Sequence, residues 1–290
     1  MLVGLLFLVS TRADCTPKVR AGSFNIRLFP EGATDLERVA FTISELDADV
    51  FAVQEIRDAE VLQRVLAQAS ALTGRDYRFA LTRCRSHRFR VATGVVWDAR
   101  RWTLEERRDY PDLLPDDGHS CGDWVPALFA AFSDRDGRRL GVLAVHLPPF
   151  THNYETRREH WRRLLTVQRR ESEQLGATVL VLGDFNSTGF RGEPKEEREF
   201  VEGMVEEAGV ALLSRGLECT EYYRPKGAAK YLPSVLDHVV ASDGDWSSAT
   251  ALGLCERLGC EAVAPDAMDR DFFVVSDHCP IYVEGRPAQR

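Results

Sequence analysis

Carboxylate, amide and imidazole side chains recur in this sequence at the ends of short apolar runs. The residues are Asn25, Glu55, His146, Asp184, Asn186, Asp237, Asp277 and His278. A charged side chain at the end of a buried strand destabilises the fold unless it has a partner. Because the same residue types return at several strand ends, we expect them to meet at one end of a sheet and to serve one chemical purpose.

These residue types suit the hydrolysis of a phosphate ester. Carboxylate and amide oxygens are the ligands that Mg²⁺ prefers, with Mn²⁺ or Ca²⁺ as alternative cofactors. One imidazole can accept a proton from water, and a second can donate a proton to the leaving oxygen. A carboxylate beside an imidazole can fix its tautomer and raise its basicity. The set therefore predicts an enzyme, a metal-assisted phosphoric ester hydrolase.

Strand-like runs carry these residues, and helical patterns separate some of the runs. Short apolar runs predict strands at residues 19–26, 50–54, 77–81, 92–97, 128–132, 141–146, 178–182, 235–241, 273–275 and 281–283. Helical spacing predicts helices at residues 34–46, 59–72, 156–175 and 195–208. Strands follow strands in some stretches and helices in others, which favours an α+β sandwich over a doubly wound parallel sheet. Since no break separates these elements, we expect a single domain over residues 17–285.

Length and charge exclude several classes of protein. The 290 residues carry a net charge of −8, and 44% of them are hydrophobic, so the chain is neither disordered nor collagen-like. The acid excess argues against nucleic-acid binding by bulk charge but allows a local basic face. Arginines around His87 and Phe89 form such a face with no acid nearby, and they are the candidate phosphate contacts Arg83, Arg85, Arg88 and Arg90. The arginines of residues 157–170 alternate with glutamates and predict a solvated helix face.

The first 14 residues have features of a signal peptide. The apolar run at residues 2–9 is far shorter than the roughly 20 residues of a membrane-spanning helix. Thr11-Arg12-Ala13 offers a cleavage site. No basic residue precedes the run, so a first core strand or an N-terminal anchor is the alternative. We expect export, with the protein secreted or periplasmic.

None of the seven cysteines has the paired spacing of a zinc site. In an exported protein, Cys255 could bridge to Cys260, and Cys84 could bridge to Cys121. In a cytosolic protein all of them would be buried or idle thiols. The odd count leaves at least one cysteine unpaired, and sequence alone does not define the connectivity.

The ordered motifs resemble those of the endonuclease/exonuclease/phosphatase superfamily, which has the deoxyribonuclease I-like fold. The most specific are Gly183-Asp184-Phe185-Asn186 and Ser276-Asp277-His278-Cys279-Pro280. Val53-Gln54-Glu55 and Leu236-Asp237-His238-Val239 occur in the right order around them. Each string alone is weak, but together they span nearly the whole chain. The resemblance implies a four-layer α/β/β/α sandwich with two packed mixed β-sheets and the site at one end.

The resemblance also implies which residues bind metal and phosphate. Glu55 would bind the divalent metal, with help from Asn25 and Asp277. Asp184 and Asn186 would hold the scissile phosphate and the attacking water, or a second metal. Taken alone, Gly-Asp-x-Asn is also good turn chemistry, but a turn would not explain why the other motifs accompany it.

The proton-transfer roles fall to the histidines. By the resemblance, His278 takes a proton from water, Asp237 orients His278, and His146 stabilises the phosphate or protonates the leaving oxygen. In the deoxyribonuclease branch a glutamate partners the histidine that matches His146, yet residues 86–96 contain no acid. His238 is either a further phosphate contact or a side chain on the opposite face of its strand. The remaining histidines are expected on the surface: His87, His119, His152 and His160.

The fold does not choose among phosphate esters. The leading hypothesis is an exported monomeric endonuclease that hydrolyses DNA, with RNA not excluded. A lipid phosphodiesterase of the sphingomyelinase type would act on membrane lipid and need an apolar hairpin; the closest candidate lies at residues 221–233. A phosphatase for small phosphate esters is a further alternative. A non-catalytic binding protein with this fold would require a lost ligand, and every expected ligand is present.

Overall fold

A computed structural model describes residues 17–113, 122, 124–192 and 195–290. The N-terminal segment with signal-peptide features, residues 1–14, lies outside these residues, as do His119 and Cys121. No helix in the described ranges is long and apolar enough to cross a membrane.

Fifteen strands occur in the described residues. They are β1 (Val19–Phe29), β2 (Val50–Ile56), β3 (Tyr77–Leu81), β4 (Ala92–Asp98), β5 (Trp102–Tyr110), β6 (Ala127–Asp134), β7 (Arg139–His146), β8 (Val179–Asp184), β9 (Ala211–Leu212), β10 (Glu221–Tyr223), β11 (Leu232–Ser234), β12 (Asp237–Ala241), β13 (Asp245–Trp246), β14 (Thr250–Ala251) and β15 (Ile281–Arg286). The predicted strands from residue 19 to residue 241 are all present, with ends that differ by a few residues.

The helices begin and end at residues suited to those positions. They are α1 (Leu36–Leu46), α2 (Ala59–Thr73), α3 (Tyr154–Leu175), α4 (Glu196–Glu207), α5 (Leu254–Leu258) and α6 (Asp271–Val274). The Asp35 carboxylate caps α1 by accepting from the backbone N–H of Arg38, and Asp58 caps α2 in the same way. Gly74 and Gly176 end α2 and α3 in the left-handed region, where glycine is not strained.

Two mixed sheets form the centre of the molecule. The first has the order β13-β15-β1-β2-β4-β3, with β14 also pairing with β15, and only its β1–β2 pair is parallel. The second has the order β5-β6-β7-β8-β12-β9, and its β7–β8 pair is parallel. Strands β10 and β11 form a separate hairpin.

Three apolar clusters show that the sheets and helices stack in four layers. One cluster lies between the two sheets and includes Val50, Leu128 and Leu182. A second packs the outer face of the first sheet against α1 and α2, and a third packs the outer face of the second sheet against α3 and α4. Because each strand alternates its side chains between two buried faces, the strands read as nearly continuous apolar runs. The predicted four-layer sandwich with two packed mixed sheets is confirmed.

One local prediction about secondary structure is wrong, and strand β5 was missed. Residues 273–275 do not form a strand, since α6 ends at Val274 and the N–H of Val275 donates to the carbonyl of Asp271. A short apolar run fits a buried helix as well as a strand. Strand β5 was not predicted because most of its side chains are charged or partly exposed, which is typical of a strand at the edge of a sheet.

Helix α3 does not present all its basic residues to solvent. Arg157 is fully buried, where its guanidinium binds both carboxylate oxygens of Glu197 at 2.7 and 2.6 Å. His160 is also buried, so its predicted surface position is wrong. Helical spacing explains both outcomes, because these two residues share a face with the buried Trp161 and Leu164.

Disulfide bonds fix the segment after the second sheet. Cys219 bonds to Cys260, and Cys255 bonds to Cys279. The predicted pairing of Cys255 with Cys260 is therefore wrong, because α5 and the turn that follows it direct the two sulfurs to different segments. Cys84 is also disulfide-bonded, and its predicted partner Cys121 lies outside the described residues.

Candidate active site

Side-chain alternation brings four of the predicted residues to one end of the space between the sheets. On β7, residues 140, 142 and 144 pack between the sheets, so His146 continues that face. By the same alternation, Asp184 follows residues 180 and 182 on β8, and Asp237 precedes residues 239 and 241 on β12. Asn25 shares the face of residues 19 and 21 on β1. The two sheets therefore contribute to one cluster.

Glu55 reaches this cluster through a break in the alternation of β2. Val53 packs on the outer face, so regular alternation would place residue 55 there too. The backbone of Glu55 instead has a φ of 64°, and the pairing register shifts between Val53 and Ile56. Its carboxylate accepts from Asn25 Nδ2 at 3.2 Å and from the N–H of Leu28 at 2.8 Å. The irregularity turns the carboxylate into the site, which is a frequent use of such breaks.

Asn25 joins carboxylates from the two sheets. Its Nδ2 also donates to Oδ2 of Asp184 at 3.0 Å, while its Oδ1 accepts from the N–H of Arg27 at 3.0 Å. The amide nitrogen therefore faces the two carboxylates. This arrangement orients Glu55 and Asp184, and the predicted metal ligation by the Asn25 oxygen would require the amide to turn over.

Gly183 allows β8 to approach β7 closely just before Asp184. Its φ is 155°, and a Cβ at this position would lie 2.1 Å from the carbonyl oxygen of Val145. Any other residue would push the two strands apart. The conformation of Gly183 thus places Asp184 opposite His146 in the parallel pair.

His278 forms a dyad with Asp237. Its Nδ1 lies 2.8 Å from Oδ2 of Asp237, and its Nε2 lies 3.7 Å from Oδ2 of Asp184. Its backbone N–H donates to Oγ of Ser276, which in turn donates to the carbonyl of Asn25. The imidazole is therefore held on both its ring and its backbone.

The buried charges shift one another's pKa values. Burial would lower the pKa of His278, but the carboxylates of Asp237 and Asp184 raise it well above its usual value. Burial raises the pKa of Asp184 to about 6, although His278 opposes that rise. Burial would also raise the pKa of Glu55, yet the charges of His146 and His278 and the bond from Asn25 hold it below its usual value. Closely placed groups with opposed shifts are typical of functional sites.

His146 faces the carboxylates with one nitrogen. Its Nε2 lies 3.5 Å from Oδ2 of Asp184 and 3.8 Å from Oε1 of Glu55. Among the described residues, no carboxylate forms a hydrogen bond with its Nδ1. His146 and the buried His160 both line a second, small cavity of about 10 Å³. Burial lowers the pKa of His160 to about 4, and neither of its ring nitrogens has a protein partner among the described residues.

A larger cavity of about 400 Å³ opens over the cluster. Its polar floor consists of Glu55, His146, Asp184, Asn186, Asp277 and His278. Nδ2 of Asn186 donates to the carbonyl of Leu147 at 2.9 Å, and Oδ2 of Asp277 lies 3.6 Å from Nε of Arg27. Asn25 and Asp237 lie behind this floor and are fully buried. All eight strand-end residues therefore come together, six at the cavity and two as supports.

The predicted basic face contributes one residue to this cavity. Arg88 lines it, together with the neighbouring Phe89. Arg83, Arg85 and Arg90 are exposed but are not part of its lining. The guanidinium of Arg85 donates to the carbonyl of Arg57. Arg88 is thus the member of this group that the structure places nearest to the cluster.

The predicted phosphate contact at His238 is wrong. Its side chain is fully buried on the helix-covered face of β12, between the hydroxyls of Ser187 at 2.7 Å and Ser214 at 2.8 Å. Burial lowers its pKa to about 3, so the ring is neutral. The alternation of β12 explains this position, because neighbours of Asp237 must face the other way.

Two charged residues of the cavity, Glu221 and Arg27, belong to no motif and were not predicted from the sequence. Glu221 lies on β10, pairs with His278 in an isolated antiparallel bridge and accepts from Oγ of Ser234. Burial raises the pKa of its carboxyl to about 8, so at neutral pH it is largely protonated. Arg27 has an unusual φ of 35° beside the cluster. Both positions depend on long-range pairing, which local spacing does not encode.

The donor set suits a divalent cation. One ligand atom each from Glu55, His146 and Asp184 lies within 4.8 Å of the others. Carboxylate oxygens favour hard cations such as Mg²⁺. The close approach of the Glu55 and Asp184 carboxylates would concentrate negative charge that a bound cation offsets.

Several solved structures of differently named proteins share this fold. The human Nocturnin catalytic domain with bound sulfate matches with a TM-score of 0.64 at 15% identity, covering 94% of this chain and 95% of that one. Truncated Caenorhabditis elegans TDP2 matches with a TM-score of 0.63 at 15% identity, covering 92% of this chain and 97% of that one. The mannosyl-6-phosphatase Bt3783 of Bacteroides thetaiotaomicron matches with a TM-score of 0.60 at 14% identity, covering 93% of this chain and 99% of that one. At these identities the likeness establishes the fold alone.

Comparison of the sequence itself identifies the family. Among curated proteins no sequence matches this chain. The sequence profile described as "Endonuclease/Exonuclease/phosphatase family" matches residues 22–278, which include every strand-end residue of the site. Members of that family are phosphoester hydrolases that use divalent metals. The chain therefore belongs to the endonuclease/exonuclease/phosphatase family.

Proposed function

We propose that the protein is a divalent-metal-dependent phosphodiesterase, an exported endonuclease that hydrolyses DNA. The observation that carries this proposal is the His278–Asp237 dyad, with Nε2 of His278 3.7 Å from Asp184 on the cavity floor. Such a dyad can accept a proton from a water molecule. We assign the carboxylates beside the dyad to cation binding, and we do not assign them the role of a covalent nucleophile.

Glu55 and Asp184 are the residues that would hold the metal, with Asp277 at the same cavity. A divalent cation supplies electrostatic stabilisation of the phosphoryl oxygens and offsets the carboxylate charge. Asn25 keeps the two carboxylates oriented by donating to both of them. Supporting hydrogen bonds of this kind fix ligand geometry.

Proton transfer is assigned to the two histidines at the cavity. With the carboxylate charge offset, Nε2 of His278 is free to accept a proton while its Nδ1–H donates to Asp237. Nε2 of His146 also lies near Asp184, at 3.5 Å from Oδ2, and it donates to a phosphoryl or leaving oxygen. Asn186 positions the phosphate at the end of β8. The residues assigned here to metal binding and proton transfer are all present, which argues against a non-catalytic binding protein.

The cavity favours nucleic acid over a membrane lipid as substrate. Arg27 and Arg88 line it and can contact phosphates. On the β10–β11 hairpin, Tyr222 is fully buried and Tyr231 packs on Phe272 with ring centroids 4.7 Å apart. Tyr223 and Leu232 are the large hydrophobic side chains that the hairpin exposes, which is a small apolar surface for entering a bilayer. Basic residues Arg224, Lys226 and Lys230 lie between its strands. RNA and small sugar phosphates are kept as competing substrates.

The disulfide bonds support the proposal of export. Such bonds persist in oxidising compartments such as the periplasm and the cell exterior. Cys219–Cys260 and Cys255–Cys279 hold the segment next to His278. Mass measurement of the exported product, with and without reductant, tests both the signal cleavage and these bonds.

A substrate panel tests the proposed activity. Purified protein is incubated with plasmid, single-stranded DNA, RNA, sphingomyelin and a sugar phosphate, each with Mg²⁺ and with EDTA. We expect Mg²⁺-dependent nicking of the plasmid and cleavage of the DNA strand. Turnover of the lipid or the sugar phosphate without cleavage of any nucleic acid would show that the substrate assignment is wrong.

A further inference from the structure

The lining of the catalytic cavity includes apolar side chains as well as charged ones. Phe89, Trp124, Leu147 and Phe150 are among the apolar lining residues, which we call the apolar wall. The cavity volume of about 400 Å³ falls within the roughly 300–1,000 Å³ of ligand pockets. A phosphate group needs only the polar floor. The apolar wall therefore indicates that a second, apolar part of the substrate occupies the cavity.

Two aromatic rings of this wall are open to solvent. Phe89 is 44% exposed and Phe150 is 67% exposed, and the latter is the highest fraction among the exposed large hydrophobic side chains of the described residues. An exposed ring forgoes the stabilisation that burial would bring. Both rings lie at the same cavity, next to the catalytic floor, which points to a ligand that covers them.

The backbones that carry these rings are anchored. The carbonyl of Phe150 accepts from the buried guanidinium of Arg157 at 2.7 Å, and the carbonyl of Phe89 accepts from Nε of Arg57 at 3.2 Å. The Phe150 ring stacks on His152, with centroids 5.6 Å apart and planes inclined by 16°. The backbone of Phe150 is therefore held by a buried side chain, which lowers the entropic cost of binding a ligand at this ring.

The charge around the rings indicates what that ligand is. The guanidinium of Arg88 lies 5.1 Å from the centroid of the Phe89 ring. Arg27 lines the cavity on the side of Asp277. Alternating aromatic and cationic groups are typical of proteins that bind single-stranded nucleic acid, where bases stack on rings and phosphates meet arginines. An acyl chain would gain nothing from the two guanidinium groups.

We propose that Phe89 and Phe150 form a stacking subsite for an unpaired nucleobase next to the scissile phosphate. The inference rests on the proposed nuclease function and narrows its substrate to single-stranded DNA or to unpaired regions of a duplex. Bases inside a duplex are already stacked and paired, so they are not available to the rings. The subsite therefore binds any strand in which the face of a base is exposed, whichever base it is.

Binding measurements on the full-length protein test the subsite. The His278→Ala variant is used as the background so that a fluorescein-labelled oligonucleotide is not cut, and anisotropy gives Kd for the single strand and for its duplex. We expect tighter binding of the single strand. Phe89→Ala and Phe150→Ala should each weaken that binding about 5- to 150-fold, since stacking of one base on an aromatic ring contributes about 1–3 kcal/mol. Phe89→Trp should restore it.

Two controls separate stacking from a general disturbance. Phe41→Ala removes a ring of similar exposure, 42%, on α1 away from the cavity, and it should leave Kd unchanged. An oligonucleotide with an abasic site in place of the stacked base should bind weakly, and Phe89→Ala should weaken it no further. Thermal melting of each variant confirms that the fold is intact.

The outcomes distinguish the subsite from the underlying function. Equal binding of single strand and duplex, with no effect of either phenylalanine, would overturn the subsite while DNA cleavage by the wild type still supports a nuclease. Binding of sphingomyelin vesicles in place of the oligonucleotide, lost on Phe150→Ala, would assign the wall to a lipid instead. If the wild type neither binds nor cuts nucleic acid, both the subsite and the proposed function fail.

Discussion

Nδ1 of His278 lies 2.8 Å from Oδ2 of Asp237, although 41 residues separate them in the chain. Asp237 is the first residue of β12 in the second sheet, whereas His278 follows α6 and leads into β15 of the first sheet. The dyad therefore forms only when the two sheets pack. It connects the fold of the whole chain to the chemistry of the cavity.

Replacing Asp237 with asparagine should remove most of the activity. The amide would no longer stabilise a protonated His278 or hold its tautomer, so we expect kcat to fall by about 10²- to 10⁴-fold with little change in KM. Steady-state cleavage of a labelled oligonucleotide measures both. The double variant with His278→Ala should be no slower than His278→Ala alone, because the two residues act as a unit. Activity within twofold of wild type would contradict the dyad.

Metal binding should stabilise the wild type but not a variant at Glu55. With Mg²⁺ at about 100 times its Kd, we expect roughly 2.7 kcal/mol of added stability, seen as a rise in Tm by calorimetry without any substrate. Glu55→Gln removes one of the charged ligands and should abolish most of this rise. Glu37→Gln in the first turn of α1, distant from the cluster, is the matched control and should respond like the wild type. An equal rise in all three proteins would place the metal elsewhere.

The buried Arg157–Glu197 pair should be needed both for stability and for the shape of the cavity. Arg157 also donates to the carbonyls of Pro148 and Phe150, and Glu197 accepts from the backbone and hydroxyl of Thr188. Arg157→Met leaves a buried carboxylate without its partner, so we expect a loss of about 3–5 kcal/mol in the free energy of unfolding. Urea denaturation measures this loss.

The matched control for that pair lies on the same helix. Arg169 is exposed, and Arg169→Met should change the free energy of unfolding by less than about 0.5 kcal/mol. In the double variant Arg157→Met/Glu197→Leu, stability should recover in part while kcat stays low, because the loops at the cavity lose their anchor. Full activity of the double variant would show that the pair serves stability alone.

Acid should destabilise the protein partly through buried His160. Its folded pKa is about 4, whereas an unfolded histidine titrates near 6.5. Above pH 6.5 neither state is protonated at this residue. Between pH 6.5 and 4 the unfolded state takes up a proton that the folded state does not, so this contribution to stability falls by up to roughly 1.4 kcal/mol per pH unit.

Comparison with His160→Phe isolates this effect from other titrating groups. Asp184 has a raised folded pKa and acts in the opposite direction, and the charged neighbours Glu159, Arg163 and Arg157 are the same in both proteins. The free energy of unfolding of His160→Phe should fall less steeply with acid between pH 6 and 4.5. Identical slopes for the two proteins would show that His160 is not buried as a neutral ring.

Removal of the Cys255–Cys279 bond should lower kcat even where the protein stays folded, so the loss of activity should exceed what the loss of stability explains. The bond anchors the residue next to His278 to α5. Removing a disulfide typically costs about 2–4 kcal/mol. We expect Cys279→Ser/Cys255→Ser to lower kcat even at temperatures where it is fully folded, as monitored by circular dichroism. Cys219→Ser/Cys260→Ser is the comparison variant, and equal kcat losses in both would argue against a specific role at His278.

The sequence could predict those parts of the site that follow from alternation along a strand. His146, Asp184 and Asp237 lie at the ends of apolar runs, and period two alone places them on the face between the sheets. Glu55 was found by its motif, but its orientation depends on a backbone with positive φ that the motif does not reveal. The order of elements indicated an α+β sandwich, whereas the two packed sheets were implied by the family resemblance.

Other features depend on contacts between distant segments and could not be predicted. Arg157 and His160 are buried because α3 packs on the second sheet, whereas their neighbours in sequence suggest a solvated face. Glu221 enters the site through its bridge to His278. Cysteine spacing suggested the pairing of Cys255 with Cys260, but the turn after α5 gives each a different partner.

The central claim is that this site hydrolyses DNA with a metal and the His278–Asp237 dyad. The most direct measurement follows cleavage of an end-labelled DNA strand by the wild type and by His278→Ala, each with Mg²⁺ and with EDTA. We expect the wild type to cleave the strand internally with Mg²⁺ but not with EDTA, and we expect His278→Ala to be at least about 100-fold slower. Cleavage that persists in EDTA, or a His278→Ala variant as active as the wild type, would contradict this claim.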